Sequence, residues 1–497
     1  MGAISAIQTR QGVDAIPLMT RMVRAQAHRG ADAFGVATPN ESLFTRNLDD
    51  LRSLRSASTA IAYNLMRLTS DDLPQPRHCR DRHIIVESDY LEFESFDGLM
   101  EYLSAGSPEQ SLARLLSKSD GQYTIVVMKG EEIYAARDPV GLKPLYYYSD
   151  SDISALSTER KGLWSIGLKD AKSFPPGHLL RVGSGGPPHL VREITPQRTV
   201  RQDAAETARA LGLLLRESVV ERSQGLNNVG VSFSGGIDSS AIAYLLSSQG
   251  VELCAFVVGM QGHPGLDCAL TVAELLDIKV KTREYTQEDL EQTLEKCVWR
   301  TEEADPVKLS TVIPLSWSAN FASENGVTRL FTGQGADELF AGYRRFLNVM
   351  REGGESLLRE AVFERLSDTR KACYDATEQA TEPERVKMLH PFADWRMIEF
   401  GLSISPTLMI QSPDDDLRKR ILRRACLDLG LPKRIVETPK KAMQYSTGVD
   451  RCVRAVARKR GLPMRDLLCQ VFEGAFSCYG ITCSDYRRLG FQKAARS

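Results

Sequence analysis

The sequence predicts two α/β domains: a strand-rich N-terminal domain, and a C-terminal domain on a parallel sheet whose second half is helical. Before residue 183, short apolar runs such as Tyr123–Met128 alternate with turn residues, which indicates strands. After residue 203, amphipathic stretches alternate with short apolar runs, as in a parallel sheet covered by helices on both faces. From about Glu355 onward the pattern is that of helices.

Six turn-forming residues, Gly-Ser-Gly-Gly-Pro-Pro at 183–188, mark the boundary between the two halves. Neither a helix nor a strand tolerates such a run, and 497 residues exceed what one hydrophobic core usually holds. We therefore predict an N-terminal domain over 1–185, a linker over 186–203, a second domain over 204–460 and a helical extension over 461–497.

The charge balance argues against nucleic acid and membrane partners. Lys plus Arg (63) nearly cancels Asp plus Glu (64), so the net charge is -1 and no overall field attracts a polyanion. We interpret the basic run Arg418–Arg420, with Arg423 and Arg424, as a solvated helix face. The sequence contains neither an apolar run of about eighteen residues nor a signal-peptide pattern. We expect a cytoplasmic protein that binds no nucleic acid and no membrane.

A candidate phosphate loop, Ser-Gly-Gly-Ile-Asp-Ser-Ser at 234–240, follows the predicted strand Val229–Phe233. A strand, a glycine turn and a helix start expose backbone N–H groups that bind anions. The run matches neither the Walker sequence nor the dinucleotide-binding fingerprint. Asp238 would repel phosphate unless Mg²⁺ lay between them. The alternative is a tight turn in which Asp238 and Ser239 cap a helix.

A second loop has the same character. The predicted strand Arg329–Thr332 precedes Gly-Gln-Gly-Ala-Asp-Glu-Leu-Phe at 333–340. In an open parallel sheet, the loops at the carboxyl ends of the strands converge on the ligand. Asp238 and Asp337 are therefore predicted to share one Mg²⁺ from opposite sides.

These two loops resemble the signatures of the asparagine synthetase family. The run 234–239 resembles its pyrophosphate loop, and 333–338 its second signature. Further along, Pro-Phe-Ala-Asp at 391–394 and Lys-Lys-Ala-Met-Gln at 440–444 resemble two later elements of the family. The resemblance implies an ATP pyrophosphatase domain of the adenine nucleotide α-hydrolase-like type.

The N-terminal half resembles the class II glutamine amidotransferases and implies an Ntn-hydrolase-like α/β sandwich. His-Arg-Gly-Ala-Asp at 28–32 and the run 136–146 carry this resemblance. Enzymes of that class use an N-terminal cysteine, whose own α-amine serves as the base. Gly2 stands where that cysteine belongs, and the Asn-Gly-Glu element expected after Gln75–Pro76 is missing. We therefore predict that glutamine hydrolysis is lost.

The family resemblance implies that ATP activates a carboxylate as its adenylate, which ammonia then converts to an amide. A lysine suits the departing phosphates because it is a mobile point charge, although a solvated loop is the alternative for the lysine pair. The resemblance assigns the pyrophosphate end of ATP to Ser234, Gly235, Gly236, Asp238 and Ser239, and the adenosine to Thr332 and Gly333. It assigns Mg²⁺ to Asp238 and Asp337, and the leaving phosphates to Lys440 or Lys441.

Three departures concern the acceptor substrate. Gln334 replaces a glutamate of asparagine synthetases, and an amide can hydrogen-bond but cannot take a proton. Lys387 and Leu389 also depart from the family pattern. These positions lie in the zone that would contact the acceptor, and the changes argue against taking aspartate for granted. We expect the substrate to be aspartate or a related acid. The nitrogen comes from free ammonia or, as in the β-lactam synthetases and lasso-peptide cyclases, from an amine.

Partners and an alternative function follow from the same comparison. A separate ammonia-supplying subunit would replace the lost glutaminase, and a homodimer is consistent with related synthetases. The alternative function is a nucleotide-binding regulator or scaffold without turnover, because one site of the family pattern is already lost.

Overall fold

The chain forms two compact units. The computed structural model describes residues 1–70, 72–93, 95–197, 200–439 and 446–488. Within that part of the chain, unit 1 contains residues 1–193, 374–385 and 473–488, and unit 2 contains residues 194–373 and 386–472.

Unit 1 is a sandwich of two antiparallel sheets, as the predicted fold class requires. Ile4 and Ile61 of the first sheet share one buried cluster with Val126 and Ile133 of the second. In spatial order, the first sheet contains β11 (Lys172–Ser173), β9 (Tyr146–Ser149), β10 (Ile153–Ser157), β1 (Gly2–Thr9), β4 (Thr59–Leu65), β2 (Ala33–Ala37) and β3 (Ser42–Thr45). The second contains β13 (His189–Leu190), β12 (His178–Val182), β8 (Glu132–Arg137), β7 (Gly121–Lys129), β6 (Arg82–Leu91) and β5 (Arg77–Cys79).

Helices cover both sheets of unit 1. The amphipathic helix α1 (Ala15–Ala25) and the short buried helix α4 (Arg160–Trp164) contribute apolar side chains to a cluster with the first sheet. In the same way, α2 (Phe96–Ser104) and α3 (Pro108–Lys118) pack against the second sheet. Serine side chains cap both α2 and α3, which explains where these helices begin. The result is a layered α/β sandwich.

Unit 2 contains the predicted parallel sheet. Apart from the polar edge strand at 280–285, its strands are largely buried, as expected for strands covered on both faces. Their spatial order is β16 (Val280–Tyr285), β15 (Glu252–Met260), β14 (Asn228–Ser232), β17 (Arg329–Phe331) and β18 (Lys387–Leu389). The order reverses at β14, since β15 and β16 extend to one side and β17 and β18 to the other. Such a switch point places neighbouring loops around a crevice at the carboxyl ends of the strands.

Helices account for most of the remaining chain. Among the described helices, none is both long and apolar enough to cross a membrane. They are α5 (Ala204–Ser223), α6 (Ile237–Ser247), α7 (Gly265–Leu275), α8 (Gln287–Thr301), α9 (Pro306–Glu324), α10 (Ala336–Leu339), α11 (Arg345–Thr381, interrupted at Gly354), α12 (Trp395–Leu402), α13 (Pro406–Met409), α14 (Arg420–Asp428), α15 (Lys433–Val436), α16 (Val449–Lys459), α17 (Met464–Phe476) and α18 (Cys483–Arg488).

The segment 374–385, at the end of α11, belongs to unit 1 although it lies far along the chain. Asp375 pairs with Arg137, Glu378 with Lys143, and Arg385 with Asp32. The sequence division had placed this segment in the second domain, because sequence patterns do not reveal such distant ion pairs.

Candidate active site

The first glycine loop joins β14 to α6. Gly235 has φ of +68°, a conformation that favours glycine. The helix begins at Ile237 with Gly236 at its N-cap, so Asp238 lies in the first turn and does not cap the helix. The Gly236 N–H donates to the Ser234 hydroxyl at 3.4 Å. The loop therefore leaves a helix N-terminus, with its favourable dipole, as a place for an anion.

The second glycine loop follows β17 and contacts the first. A Cβ at Gly333 would lie 2.7 Å from the Asp238 Cβ, so only glycine permits this approach. Gly335 has φ of +97°, which turns the chain into α10. Thr332 is buried, and its hydroxyl accepts a hydrogen bond from the backbone N–H of the half-buried Gln334 at 3.4 Å. The predicted residues of both loops thus lie together at the switch point of the sheet.

The ammonium of Lys419 lies between the two predicted metal ligands. Its Nζ is 2.7 Å from both carboxylate oxygens of Asp238 and 2.6 Å from Oδ1 of Asp337. The Lys419 side chain is fully buried, while the two carboxylates are slightly exposed. Asp238 and Asp337 therefore converge on one cation position. The sequence did not identify Lys419 as a site residue.

The interpretation of this basic run as a solvated face was wrong. Arg418, Lys419 and Arg423 are buried, and only the more distal Arg424 is largely exposed. The error arose because helix α14 starts at Arg420 and the residues before it turn into the site.

The backbone around Lys419 is held in an uncommon conformation. Arg418 and Lys419 have φ of 49° and 50°, a region that non-glycine residues rarely adopt. Arg423 braces the turn by donating from Nε to the Arg418 carbonyl oxygen at 2.9 Å. A Cβ at Gly342 would lie 1.9 Å from Asp337 Oδ1 and 2.3 Å from Lys419 Cε. Glycine at 342 therefore leaves the space that this ion pair occupies.

A small cavity lies beside the first loop. Thr332 and Gly333, the predicted adenosine contacts, do not line it. The sequence missed most of its lining, although the apolar end of the strand 252–258 was a signal for it. The lining includes Phe233, Ser234, Val257, Leu266, Ala269 and Ser446.

The donor set suits Mg²⁺ only if substrate supplies further ligands. Within the described residues, no group of three or more His, Cys, Asp or Glu side chains could hold a metal. Mg²⁺, however, is commonly bound by one or two carboxylates together with substrate phosphates. The pair Asp238 and Asp337, which already contacts one cation, fits that pattern.

Of the two later family elements, the structure describes the one at 391–394. Lys440 and Lys441, the predicted catalytic lysines, lie outside the described residues. Asp394 is buried, pairs with Arg222 at 3.0 Å and accepts from the backbone N–H of Arg396 at the start of α12. Asp394 therefore caps α12 and is held in place by Arg222.

In unit 1, the position of the expected nucleophile is closed. Gly2 lies in β1 and its N–H donates to Glu382 Oε1 at 2.9 Å. A Cβ at Gly2 would lie 1.8 Å from the Asn64 carbonyl oxygen on β4. No side chain larger than hydrogen fits there unless the two strands separate.

A buried ion cluster surrounds Gly2. Arg29 is completely buried and contacts the carboxylates of Glu159, Glu378 and Glu382. Its Nε also donates to the Gly2 carbonyl oxygen at 3.3 Å. Two of these three carboxylates come from the segment 374–385, which thus closes the region next to residue 2.

His28 makes unit 1 sensitive to acid. Burial lowers the pKa of His28 from 6.5 to about 4, against the opposing effect of the Glu159 carboxylate. Between these values the unfolded chain binds a proton that the folded chain does not, so stability is lost as pH falls from 6.5 towards 4. The loss is at most about 3 kcal/mol. His28→Gln should flatten the dependence of unfolding free energy on pH between about 4.5 and 6.5, measured by denaturant titration. The exposed His189→Gln control should leave the slope unchanged; an unchanged slope in His28→Gln would contradict the prediction.

Two family models match the chain. The Asparagine synthase family model matches residues 210–385 and 354–463, together more than half of the chain. The Glutamine amidotransferase domain model matches residues 96–165. These two matches fall in unit 2 and unit 1 respectively, apart from the segment 374–385.

Two similar proteins are named as asparagine synthetases. A putative asparagine synthetase (glutamine-hydrolyzing) of Methanocaldococcus jannaschii is 26% identical, covering 93% of this chain and 96% of the relative. An asparagine synthetase (glutamine-hydrolyzing) of Sandersonia aurantiaca is 29% identical, covering 76% of each chain. Among solved structures, the glutamine phosphoribosylpyrophosphate amidotransferase of B. subtilis is 14% identical with a TM-score of 0.33, covering 56% of this chain and 65% of that one.

Proposed function

Since the chain belongs to the asparagine synthase family, we propose that it is an AMP-forming amide ligase that joins a small carboxylate to ammonia or an amine. One observation carries the proposal: carboxylates from two glycine loops converge on one cation position at the switch point of the parallel sheet. The proposal is further supported by the start of α6, a helix N-terminus of the kind that binds anions, which lies in the same loop as Asp238.

The residues of unit 2 would act as follows. Asp238 and Asp337 would hold Mg²⁺, which when bound neutralises phosphate charge and orients the reacting groups. Backbone N–H groups at the start of α6, with Ser234 and Ser239, would bind phosphate oxygens. Thr332 and Gly333 would lie near the adenosine. The substrate carboxylate displaces pyrophosphate from ATP, and the nitrogen nucleophile then displaces AMP.

The remaining roles, for the departure of pyrophosphate and for the attack of nitrogen, are proposed from the sequence. Lys440 or Lys441 would meet the charge on the leaving phosphates. Gln334 lies in the loop that contacts Asp238 and would orient the nitrogen nucleophile by a hydrogen bond. Because it cannot accept a proton, the proton of the attacking nitrogen must leave to another base or to water. Aspartate or a related acid is the proposed substrate.

We further propose that unit 1 has no glutaminase activity. Gly2 supplies no nucleophile, and its surroundings leave no space for one. The free amine that such enzymes use as a base has no thiol beside it at this position. Ammonia would therefore come from solution or a separate subunit, or an amine would replace it.

Restoring the family cysteine should not restore glutamine hydrolysis. Gly2→Cys places a Cβ against the Asn64 carbonyl oxygen, and such overpacking typically costs about 1–3 kcal/mol. We expect no glutamate release from glutamine and a lower melting temperature. The matched control is Gly186→Cys, where the nearest atom to a new Cβ is 3.8 Å away. Sustained glutamate release by Gly2→Cys would show that unit 1 retains a usable glutamine site.

The proposed function is tested by pyrophosphate release from ATP and Mg²⁺ by the purified chain. A panel of carboxylates that includes aspartate is supplied with ammonium, with glutamine, or with neither. Release with ammonium but not glutamine is the expected result, and the acid that responds identifies the substrate. ATP binding without release for any acid or donor would instead favour a nucleotide-binding regulator or scaffold.

A further inference from the structure

Lys419 occupies the position that the proposed Mg²⁺ requires. Its ammonium contacts three carboxylate oxygens of Asp238 and Asp337 at 2.6–2.7 Å, and it is fully buried. Two cations within ion-pair distance of the same oxygens would repel each other strongly at partly buried sites. Lys419 and a divalent cation therefore compete for this carboxylate pair.

The local backbone holds the Lys419 side chain between the two carboxylates. A surface lysine would reach a carboxylate through a flexible side chain, at little gain in stability. Here the backbone of Arg418 and Lys419 is turned into the left-handed region, and Gly342 leaves room for the side chain. Asp415 fixes the preceding turn by accepting backbone N–H bonds from Leu417 at 3.0 Å and Arg418 at 3.2 Å. This hydrogen-bonded turn therefore holds the Lys419 ammonium beside Asp238 and Asp337.

We propose that Lys419 is a positioning residue: it holds Asp238 and Asp337 together without nucleotide and yields their oxygens to the divalent cation that arrives with ATP. The assignment of that cation rests on the proposed function. Without nucleotide, a free cation must displace an ammonium that already lies 2.6–2.7 Å from oxygens of both carboxylates. With nucleotide, phosphate oxygens supply the missing metal ligands and a new counter-charge for the released ammonium. The metal should therefore bind well only together with nucleotide.

The test measures Mn²⁺ binding by calorimetry and the effect of Mn²⁺ on the melting temperature. Neither measurement requires turnover. Wild-type protein should bind Mn²⁺ weakly alone, and about tenfold or more tightly with α,β-methylene ATP present. Lys419→Met should bind Mn²⁺ alone about tenfold or more tightly than the wild type. It should also melt at a lower temperature, and Mn²⁺ should restore that temperature because the cation replaces the lost charge.

Lys308→Met is the matched control, since Lys308 forms a similarly buried pair with Glu303 at 2.8 Å in the same unit. Mn²⁺ should not restore its melting temperature. Equal Mn²⁺ affinity of wild type and Lys419→Met would overturn the proposal. If Lys419→Met does not fold, the wild type decides: Mn²⁺ binding that is equally tight with and without the ATP analogue would overturn it. Pyrophosphate release by the wild type tests the proposed function separately, because none of these measurements requires catalysis.

Discussion

Replacing Asp238 by Asn is expected to reduce ATP-dependent pyrophosphate release by about 10²- to 10³-fold, the range typical when one preorganised electrostatic contact to reacting groups is removed. Asparagine keeps the size of the side chain but loses the charge that a metal and the Lys419 ammonium both require. The Asp337 contact to Lys419 remains, at 2.6 Å, so unit 2 should stay folded. Initial rates at saturating ATP and Mg²⁺ measure the effect.

Asp414→Asn is the control for this experiment. Asp414 also pairs with a basic residue in unit 2, Arg351 at 2.9 Å, but its side chain is 90% exposed. Exposed pairs contribute only about 0–1 kcal/mol, so its rate and stability should match the wild type. A melting temperature near that of the wild type for Asp238→Asn would show that any loss of rate is chemical. Undiminished turnover in Asp238→Asn would remove the metal assignment.

The parts of the site that are local in sequence could be predicted. Each glycine loop follows a short apolar strand, and the parallel sheet brings both loops to one edge, so the convergence of Asp238 and Asp337 followed from topology. The bounds of these two strands, β14 and β17, differ from the predicted ones by one residue, because apolar runs and glycine turns mark them clearly. The small cavity beside the first loop could not be predicted because most of its walls are ordinary apolar residues that the sequence gives no reason to single out.

The parts that depend on distant contacts could not be predicted. Lys419 lies in a basic run that resembles a solvated helix face, and nothing nearby indicates that its ammonium meets the carboxylate of Asp238, 181 residues away. The charged residues of 374–385 likewise fall within a helical pattern, yet they pair with Arg29, Arg137 and Lys143 of unit 1. Charge patterns indicate solvation by default, and only tertiary structure shows which charges are paired and buried.

Arg29→Leu is expected to destabilise unit 1 by about 3–5 kcal/mol, the cost of removing one partner from a buried ion pair. Leucine leaves the carboxylates of Glu159, Glu378 and Glu382 next to each other without the guanidinium between them. The Gly2 carbonyl oxygen also loses its 3.3 Å contact with Arg29 Nε. Hydrogen exchange of the peptides over β1 and β4, followed by mass spectrometry, should show faster exchange in unit 1.

Arg385→Leu is the comparison for Arg29→Leu, because it removes an arginine that also pairs with a carboxylate but is exposed. Arg385 contacts both carboxylate oxygens of Asp32, at 2.9 and 3.0 Å, but its side chain is 50% exposed. Water can solvate Asp32 after the substitution, so the expected loss is below about 1 kcal/mol. Equal losses in the two variants would mean that the cluster around Arg29 is stabilised by its packing and hydrogen bonds and not by its buried charge. A large loss in Arg29→Leu alone would instead explain how the segment 374–385 is held within unit 1, through the charges that close the region around Gly2.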